Sequence, residues 1–170
     1  MNLEKLEQES ISRGIPIIGS EKGKVLELFV NLLKPKKILE IGTANGYSGI
    51  ILGIQGAKLI TLELDSKIAK EAERNFQKFN INAKIIIGDA LETIKKINEQ
   101  FDLIFLDFYK KGYNKILPTL LKLLKTKSVL IADNITFEGC QDFKKTILNN
   151  PQLTTIIIPI KDGLAISVKK

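Results

Sequence analysis

An apolar run that ends in an acidic residue and then meets two glycines most constrains what this chain can fold into. It is the stretch ILEIGTANGYS at residues 38–48, which contains Glu40, Gly42 and Gly46. The pattern predicts a β-strand, a tight glycine turn and a helix N-terminus, the place where an open α/β sheet binds a nucleotide-like ligand. A glycine turn after a first strand can also serve packing alone.

The spacing of the glycines indicates the kind of ligand. A dinucleotide-binding fold would show G-x-G-x-x-G, with glycines close enough for a pyrophosphate to lie against the backbone. Here the pattern is E-x-G-x-x-x-G, with Thr43 and Ala44 directly after Gly42. That form suits the amino-acid end of S-adenosylmethionine better than a diphosphate.

The length and composition are those of one globular domain with a full core, at 170 residues. No apolar run approaches the roughly 20 residues that span a bilayer. The acidic, polar residues 1–9 do not resemble a signal peptide. The single cysteine, Cys140, fits a reducing cytoplasm. Because histidine is absent, any metal site would use mainly oxygen ligands.

The net charge of +7 would favour an anionic partner such as RNA. The lysines are spread along the chain, however, and many fall where helices are expected to meet loops. A solvated surface explains them equally well, so the charge leaves both interpretations open.

Apolar runs of strand length alternate with segments of helical period, which predicts βα units and a parallel sheet. The predicted strands are 37–41, 58–64, 83–87, 101–107, 128–133, 153–159 and 164–168. The predicted helices are 3–13, 20–33, 45–54, 66–79, 90–98, 113–124 and 138–149. Residues 160–163 are too few for a crossover helix, so the last two strands should form an antiparallel hairpin.

This α/β arrangement, a doubly wound, mostly parallel, Rossmann-like sheet of seven strands that ends in a hairpin, resembles the architecture of the class I methyltransferases. We expect a single domain over residues 1–170, with a helical segment at 1–35 and the Rossmann-like core at 36–170.

Polar residues at the carboxyl ends of the strands carry most of the functional information, because ligands of such a sheet bind there. Glu63 ends the second predicted strand, where a carboxylate can accept hydrogen bonds from both ribose hydroxyls. Asp65 is better placed to cap the next helix or to form the turn before it. The alternative is that Glu63 and Asp65 are both solvated surface acids. Asp89 can bind an adenine amino group or cap the following helix, and the two roles can coexist.

The fourth and fifth predicted strands end in Asp107 and in the pair Asp133 and Asn134. These strands are expected to be neighbours, so the three side chains should converge at one edge of the sheet. Two carboxylates and an amide oxygen form a hard-oxygen site suited to Mg²⁺ or another divalent cation. Asp and Asn are also common turn residues, so either strand end alone would be ambiguous.

The chain resembles the catechol O-methyltransferase-like family of metal-dependent enzymes that use S-adenosylmethionine. The resemblance runs from residue 15 to residue 168 and rests on the motifs EIGTANGYS, TLELD, GDA, FDLIFLDFYKKGY, VLIADN and PIKDGL, in that order. The first three motifs are widespread among methyltransferases. The specific signature is D-x-x-K-x-x-Y followed by D-N.

The resemblance implies roles for individual residues. Gly42 and Ser48 would hold the methionine end of the cofactor, with Ser48 on its carboxylate, and Ile18 would line the same portion. The cofactor-binding residues implied are Ile18, Glu40, Gly42, Thr43, Ser48, Glu63, Asp89, Ala90 and Asp107. Asp107, Asp133 and Asn134 would ligate Mg²⁺.

Lys110 matches the general base of the family, whereas Tyr113 matches an aromatic residue to which we assign no role. A lysine beside another lysine is otherwise usually surface charge. Phe108 and Tyr109 stand where many microbial members of the family have small residues, which suggests an aromatic wall beside the metal. The N-terminal part is shorter than usual in the family, which leaves the acceptor size and a possible homodimer open.

The sequence thus predicts a cytoplasmic Mg²⁺-dependent O-methyltransferase that acts on a small hydroxylated, catechol-like molecule. One alternative is methylation of a hydroxylated uridine in tRNA, which the basic charge permits. Another alternative, a nicotinamide-dependent oxidoreductase, is disfavoured because the third glycine of its motif is missing and the strand ends carry metal-type ligands. A non-catalytic cofactor-binding protein is disfavoured because all three candidate metal ligands are present.

Overall fold

A seven-stranded sheet organises the computed structural model, which describes residues 2–170 and leaves Met1, in the polar stretch 1–9, outside the described residues. The strands are β1 Lys37–Ile41, β2 Lys58–Glu63, β3 Ala83–Ile87, β4 Phe101–Leu106, β5 Leu124–Asp133, β6 Leu153–Ile158 and β7 Leu164–Lys169. The helices are α1 Leu3–Ser12, α2 Gly19–Leu33, α3 Tyr47–Gly53, α4 Ser66–Lys78, α5 Ala90–Thr93, α6 Tyr113–Leu123 and α7 Gln141–Leu148.

The strand order is β3-β2-β1-β4-β5-β7-β6. The first five strands pair in parallel, whereas β7 runs antiparallel to both β5 and β6. The predicted fold class is therefore confirmed, including the closing hairpin and the adjacency of β4 and β5. The strands of a parallel sheet are buried on both faces, and β4 is accordingly apolar at every position except Asp102.

Helices cover both faces of the sheet and divide the core into two clusters. One face of β1 and β4 contributes Leu39 and Ile104 to a cluster with α6 and α7. The other face contributes Ile38 and Phe105 to a cluster with α1, α2, α3 and α4. Within residues 2–170, no helix combines the length and apolar character that a membrane crossing requires.

Three predicted elements differ clearly from those observed, and in one of them, the helix expected at 138–149, a 3₁₀ turn at Glu138–Cys140 precedes α7. The helix expected at 90–98 is the short α5 followed by a 3₁₀ turn, Ile94–Lys96, because the chain turns into extended backbone at Ile97. The strand expected at 128–133 begins earlier, at Leu124, because Leu124 pairs with Phe101 of β4 across a register shift. As a result, α6 runs directly into β5 without a loop.

The centre of the sheet holds β1 and β4 in very close contact at their carboxyl ends. The Asp107 amide donates to the Ile41 carbonyl at 2.8 Å, and the Gly42 amide donates to the Leu62 carbonyl at 3.0 Å. Gly42 has φ +100°, and a Cβ there would lie 1.9 Å from the Asp107 carbonyl oxygen. Only glycine fits this turn without displacing the end of β4.

Candidate active site

A cavity of about 810 Å³ opens at the carboxyl ends of the parallel strands, and its size is typical of small-molecule sites. It brings together most of the residues predicted from the sequence. The predicted residues that line it are Ile18, Gly42, Thr43, Ser48, Glu63, Asp89, Ala90, Asp107, Lys110, Asp133 and Asn134.

Glu40 is the predicted cofactor residue that does not line the cavity. Its carboxyl group lies in the core, where it accepts hydrogen bonds from Ser48 Oγ at 2.6 Å and Thr61 Oγ1 at 2.7 Å. Burial raises the pKa of Glu40 to about 8, against the lowering effect of these two hydrogen bonds. Glu40 can therefore reach a bound cofactor only through its neighbours.

Replacing Glu40 with glutamine should flatten the pH dependence of stability. The pKa of this carboxyl is about 8 in the native state and about 4.5 for an ordinary glutamate in the unfolded chain, so the native state binds more protons between these values. The free energy of unfolding of the wild type should consequently fall as the pH rises through this window, by at most about 1.4 kcal/mol per unit. Urea titrations from about pH 5 to about pH 8 compare the two proteins. Parallel stability curves would contradict the assignment.

The hydroxyl groups of Thr43 and Ser48 are bonded inside the protein. Thr43 Oγ1 lies 2.5 Å from Thr61 Oγ1, and Ser48 Oγ donates its proton to Glu40. The predicted contact of the Ser48 hydroxyl with a cofactor carboxylate would require that proton to be redirected. Ile18, the residue before α2, is buried and lines the cavity.

Glu63 is held by backbone amides on both carboxylate oxygens. One oxygen accepts from the amides of Thr43 at 3.2 Å and Ala44 at 2.8 Å. The other accepts from Leu64 at 2.8 Å and Asp65 at 3.0 Å. The carboxylate thus ties the end of β2 to the glycine turn, and ribose hydroxyls would have to share or displace these amides.

Asp89 caps α5 by accepting a hydrogen bond from the Leu91 amide at 2.7 Å, and it also lines the cavity beside Ala90. Its predicted structural role is thus present, and its position leaves the adenine role open. Asp65 caps α4 through the amides of Lys67 and Ile68, as expected for a turn residue at that position.

The three predicted metal ligands lie together at the ends of β4 and β5, but two lysines are bonded to them. Lys110 Nζ donates to Asp107 Oδ1 at 2.5 Å. Lys22 Nζ, from α2, donates to both Asp133 and Asp162.

The chemistry of this donor set fits a hard divalent cation. Burial raises the pKa of Asp133, and the charge of Asp107 raises it further, so a nearby cation would relieve this repulsion. Within residues 2–170, no three Asp, Glu or Cys side chains could hold a metal by themselves, so the amide oxygen of Asn134 would have to complete the set.

Lys110 is fixed by a second partner, Tyr113. Lys110 Nζ donates to the Tyr113 hydroxyl at 3.1 Å, and that hydroxyl donates to the Leu106 carbonyl at 3.0 Å. Tyr113 is fully buried, stacks on Phe108 at 5.6 Å and meets Phe143 edge-on at 5.2 Å. Burial raises its pKa well above the ordinary value, so the phenol stays protonated. Tyr113 therefore positions the Lys110 amine over the end of β4.

Residues 2–170 match a family model described as O-methyltransferase. The chain belongs to the O-methyltransferase family. Catechol O-methyltransferase of Niastella koreensis is 33% identical over 137 residues, which is 74% of this chain and 62% of that protein. Catechol O-methyltransferase B of Danio rerio is 34% identical over 146 residues, 78% of this chain and 55% of that protein. The resemblance inferred from the motifs is thus confirmed.

This family member spans less than two thirds of the length of those two curated relatives. Among solved structures, the O-methyltransferase from Bacillus cereus in complex with SAH matches with a TM-score of 0.89 and 28% identity. That match covers 99% of this chain and 90% of the Bacillus chain, so the whole fold is shared.

Three residues of the O-methyltransferase cavity region escaped the sequence analysis: Lys22, Asp162 and Phe137. Asp162 lies in the PIKDGL motif, which was noted without assigning that residue a role. Lys22 shares a helical face with Gly19, Gly23 and Leu26, and this apolar face was the available signal.

Proposed function

We propose that this protein is an Mg²⁺-dependent O-methyltransferase that methylates a hydroxyl of a small, catechol-like acceptor with S-adenosylmethionine. The observation that carries the proposal is that the glycine turn and the Asp107–Lys110 pair line the same cavity. The names of the curated relatives, catechol O-methyltransferases, support the acceptor class.

The residues of the cavity fit the cofactor, because the glycine turn, the carboxylate of Glu63 and the pair Asp89 and Ala90 line one continuous cavity at the ends of the parallel strands. Glu63 would bind the ribose, Asp89 and Ala90 would face the adenine, and Ser48 and Ile18 would surround the methionine end. S-adenosylmethionine supplies an electrophilic methyl group on a sulfonium, and the protein must bring an oxygen into line with it.

Asp107, Asp133 and Asn134 would hold Mg²⁺, which supplies Lewis-acid activation of the acceptor hydroxyl. Lys110 Nζ would accept the hydroxyl proton once its amine is neutral, from the position fixed by Asp107 and Tyr113. Asp107 and Lys110 both lie just after β4, so the acceptor would be oriented and would lose its proton at the same place.

Aromatic side chains would bind the ring of the acceptor. Phe108 and Tyr109, which form the predicted aromatic wall, line the cavity directly after Asp107, and Phe137 lines the same cavity. Tyr109 and Phe137 are largely exposed, at 66% and 46%, so a bound aromatic ring would bury them. This arrangement favours a flat acceptor.

A methyl-transfer screen with labelled cofactor tests the function directly. Catechols and bulk tRNA that lacks the modification are offered with Mg²⁺ and with excess EDTA. We expect methylation of a catechol that EDTA abolishes. Transfer to tRNA alone would replace the acceptor class, and full activity in EDTA would remove the metal from the mechanism.

Glu63→Ala should weaken binding of S-adenosylhomocysteine by about 1.5–3 kcal/mol, because hydrogen bonds to a charged partner are lost. The glycine turn also loses the carboxylate that holds Thr43 and Ala44. Calorimetry with S-adenosylhomocysteine and with NAD measures the effect. Wild-type protein that binds NAD as tightly as S-adenosylhomocysteine would overturn the cofactor assignment.

Several sequence-based expectations remain predictions. They are the tRNA alternative, which rests on the net charge of +7, the homodimer, the cytoplasmic location and the division into residues 1–35 and 36–170. The same screen, together with the mass of the protein in solution, tests the first two.

A further inference from the structure

A buried lysine from the N-terminal part of the chain lies at the candidate metal site. Lys22 is 2% exposed and lies on the inner face of α2. A Cβ on the next residue, Gly23, would come within 2.9 Å of Ile51 Cδ1, so α2 packs closely against α3 at this point. A lysine this buried is costly unless its charge is paired.

The partners of Lys22 are acidic and come from the far end of the chain. Its ammonium group donates to Asp133 at the end of β5 and to Asp162 between β6 and β7. The second oxygen of Asp162 accepts from Asn134 Nδ2. The two candidate ligands at the end of β5 are therefore both held, Asp133 by Lys22 and Asn134 by Asp162.

This arrangement leaves particular atoms of the ligands available. Asp133 accepts from Lys22 and from the Asn134 amide on the same oxygen, Oδ1. The bond from Asn134 Nδ2 to Asp162 turns the amide oxygen of Asn134 away from Asp162. A cation would thus meet the other oxygen of Asp133 and the amide oxygen of Asn134.

The charges at the site are nearly balanced without a metal. Three carboxylates, Asp107, Asp133 and Asp162, face the two ammonium groups of Lys22 and Lys110, which gives a net charge of −1. Removing Lys22 would make it −2. A fixed positive charge on a ligand repels a divalent cation, and the repulsion is strong where water is largely excluded.

We propose that Lys22 is a positioning residue of the candidate metal site, an internal counter-cation of Asp133 and Asp162 that lowers the affinity for a divalent cation. This inference rests on the proposed function, because it assumes that Asp107, Asp133 and Asn134 bind the cation. Lys22 has two opposing effects: it orients Asp133, and it repels the cation. We expect the repulsion to be the larger effect, because the ammonium group of Lys22 contacts Asp133 and would lie close to any cation that Asp133 binds.

Lys22→Met tests the proposal by direct binding of Mn²⁺, followed by electron paramagnetic resonance at a fixed pH. The variant should bind Mn²⁺ about 10–100-fold more tightly than the wild type, a typical range for coupling between two sites. Its melting temperature in EDTA should fall, and Mn²⁺ should raise it more than in the wild type. Lys24→Met removes an exposed lysine of the same helix and should change neither quantity.

A second pair of variants guards against poor folding of Lys22→Met. Asp162→Asn alone makes the net charge zero, and adding Lys22→Met returns it to −1. The double variant should therefore bind Mn²⁺ more tightly than Asp162→Asn by a similar factor. Equal or weaker binding after loss of Lys22 overturns the proposal. If neither wild type nor variants bind Mn²⁺, the metal part of the proposed function fails, and this inference fails with it.

Discussion

Lys110→Met should lower the turnover number by about 10²–10⁴-fold, the usual range for loss of a general base. Methionine keeps the apolar stem but removes the amine that contacts Asp107 Oδ1 and the Tyr113 hydroxyl. The affinity for S-adenosylhomocysteine should change little, because the amine is assigned to the acceptor oxygen. The measurement is turnover against pH, with an acceptor found in the screen.

Lys111→Met is the matched control for Lys110→Met. Lys111 lies beside Lys110 in the same 3₁₀ turn but is exposed, so its replacement should be nearly silent. If Lys110→Met keeps the turnover and pH profile of the wild type, then solvent or another group takes the proton. In that case Lys110 would serve only to neutralise Asp107.

Gly42→Ala should destabilise the protein strongly and abolish cofactor binding. The new methyl group would lie 1.9 Å from the carbonyl oxygen of Asp107 and 2.7 Å from its carbonyl carbon, and both are backbone atoms. The positive φ costs about 1–2 kcal/mol and the overpacking about 1–3 kcal/mol. Denaturant unfolding and calorimetry with S-adenosylhomocysteine measure the two effects.

Gly56→Ala separates the two contributions. Gly56 also has a positive φ, +85°, but nothing lies within 4 Å of its Cβ position. It should show the conformational cost alone and bind the cofactor normally. An equal loss of stability in the two variants would mean that the contact between the glycine turn and β4 is not tight in solution.

The sheet could be predicted from the sequence because its signals are local. Each parallel strand is a short apolar run bounded by turn residues, and the strand ends carry the polar residues that line the cavity. The positions of Glu63 and Asp107 in the cavity could therefore be predicted, because each residue stands at the end of such a run. Element boundaries were less accurate, as at Leu124, where pairing with Phe101 extends the strand.

The partners of the site residues could not be predicted in the same way. Lys22 lies 111 residues from Asp133 and 140 from Asp162, and lysines are mostly exposed, so its place on the apolar face of α2 is a weak signal and says nothing of its partners. The hydrogen bond from Ser48 to Glu40 depends on how α3 packs against β1. The motifs predicted Glu40 as a cofactor-binding residue and did not indicate that its carboxyl group is buried behind Ser48.

The strand order also determines when the cavity can form as the chain is synthesised. Residues 37–87 carry β1, β2 and β3 with Gly42 and Glu63, whereas β4 begins only at Phe101. Until β4 is added, the inner edge of β1 exposes unpaired amide and carbonyl groups, which favours association with other chains. Because the chain is synthesised from its N-terminus, the part of the proposed cofactor site that β1, β2 and β3 carry would pass through this exposed stage each time a chain is made. We therefore expect cofactor added during synthesis to protect the chain from association only after Asp107 has been added, because its amide bonds the Ile41 carbonyl beside the glycine turn.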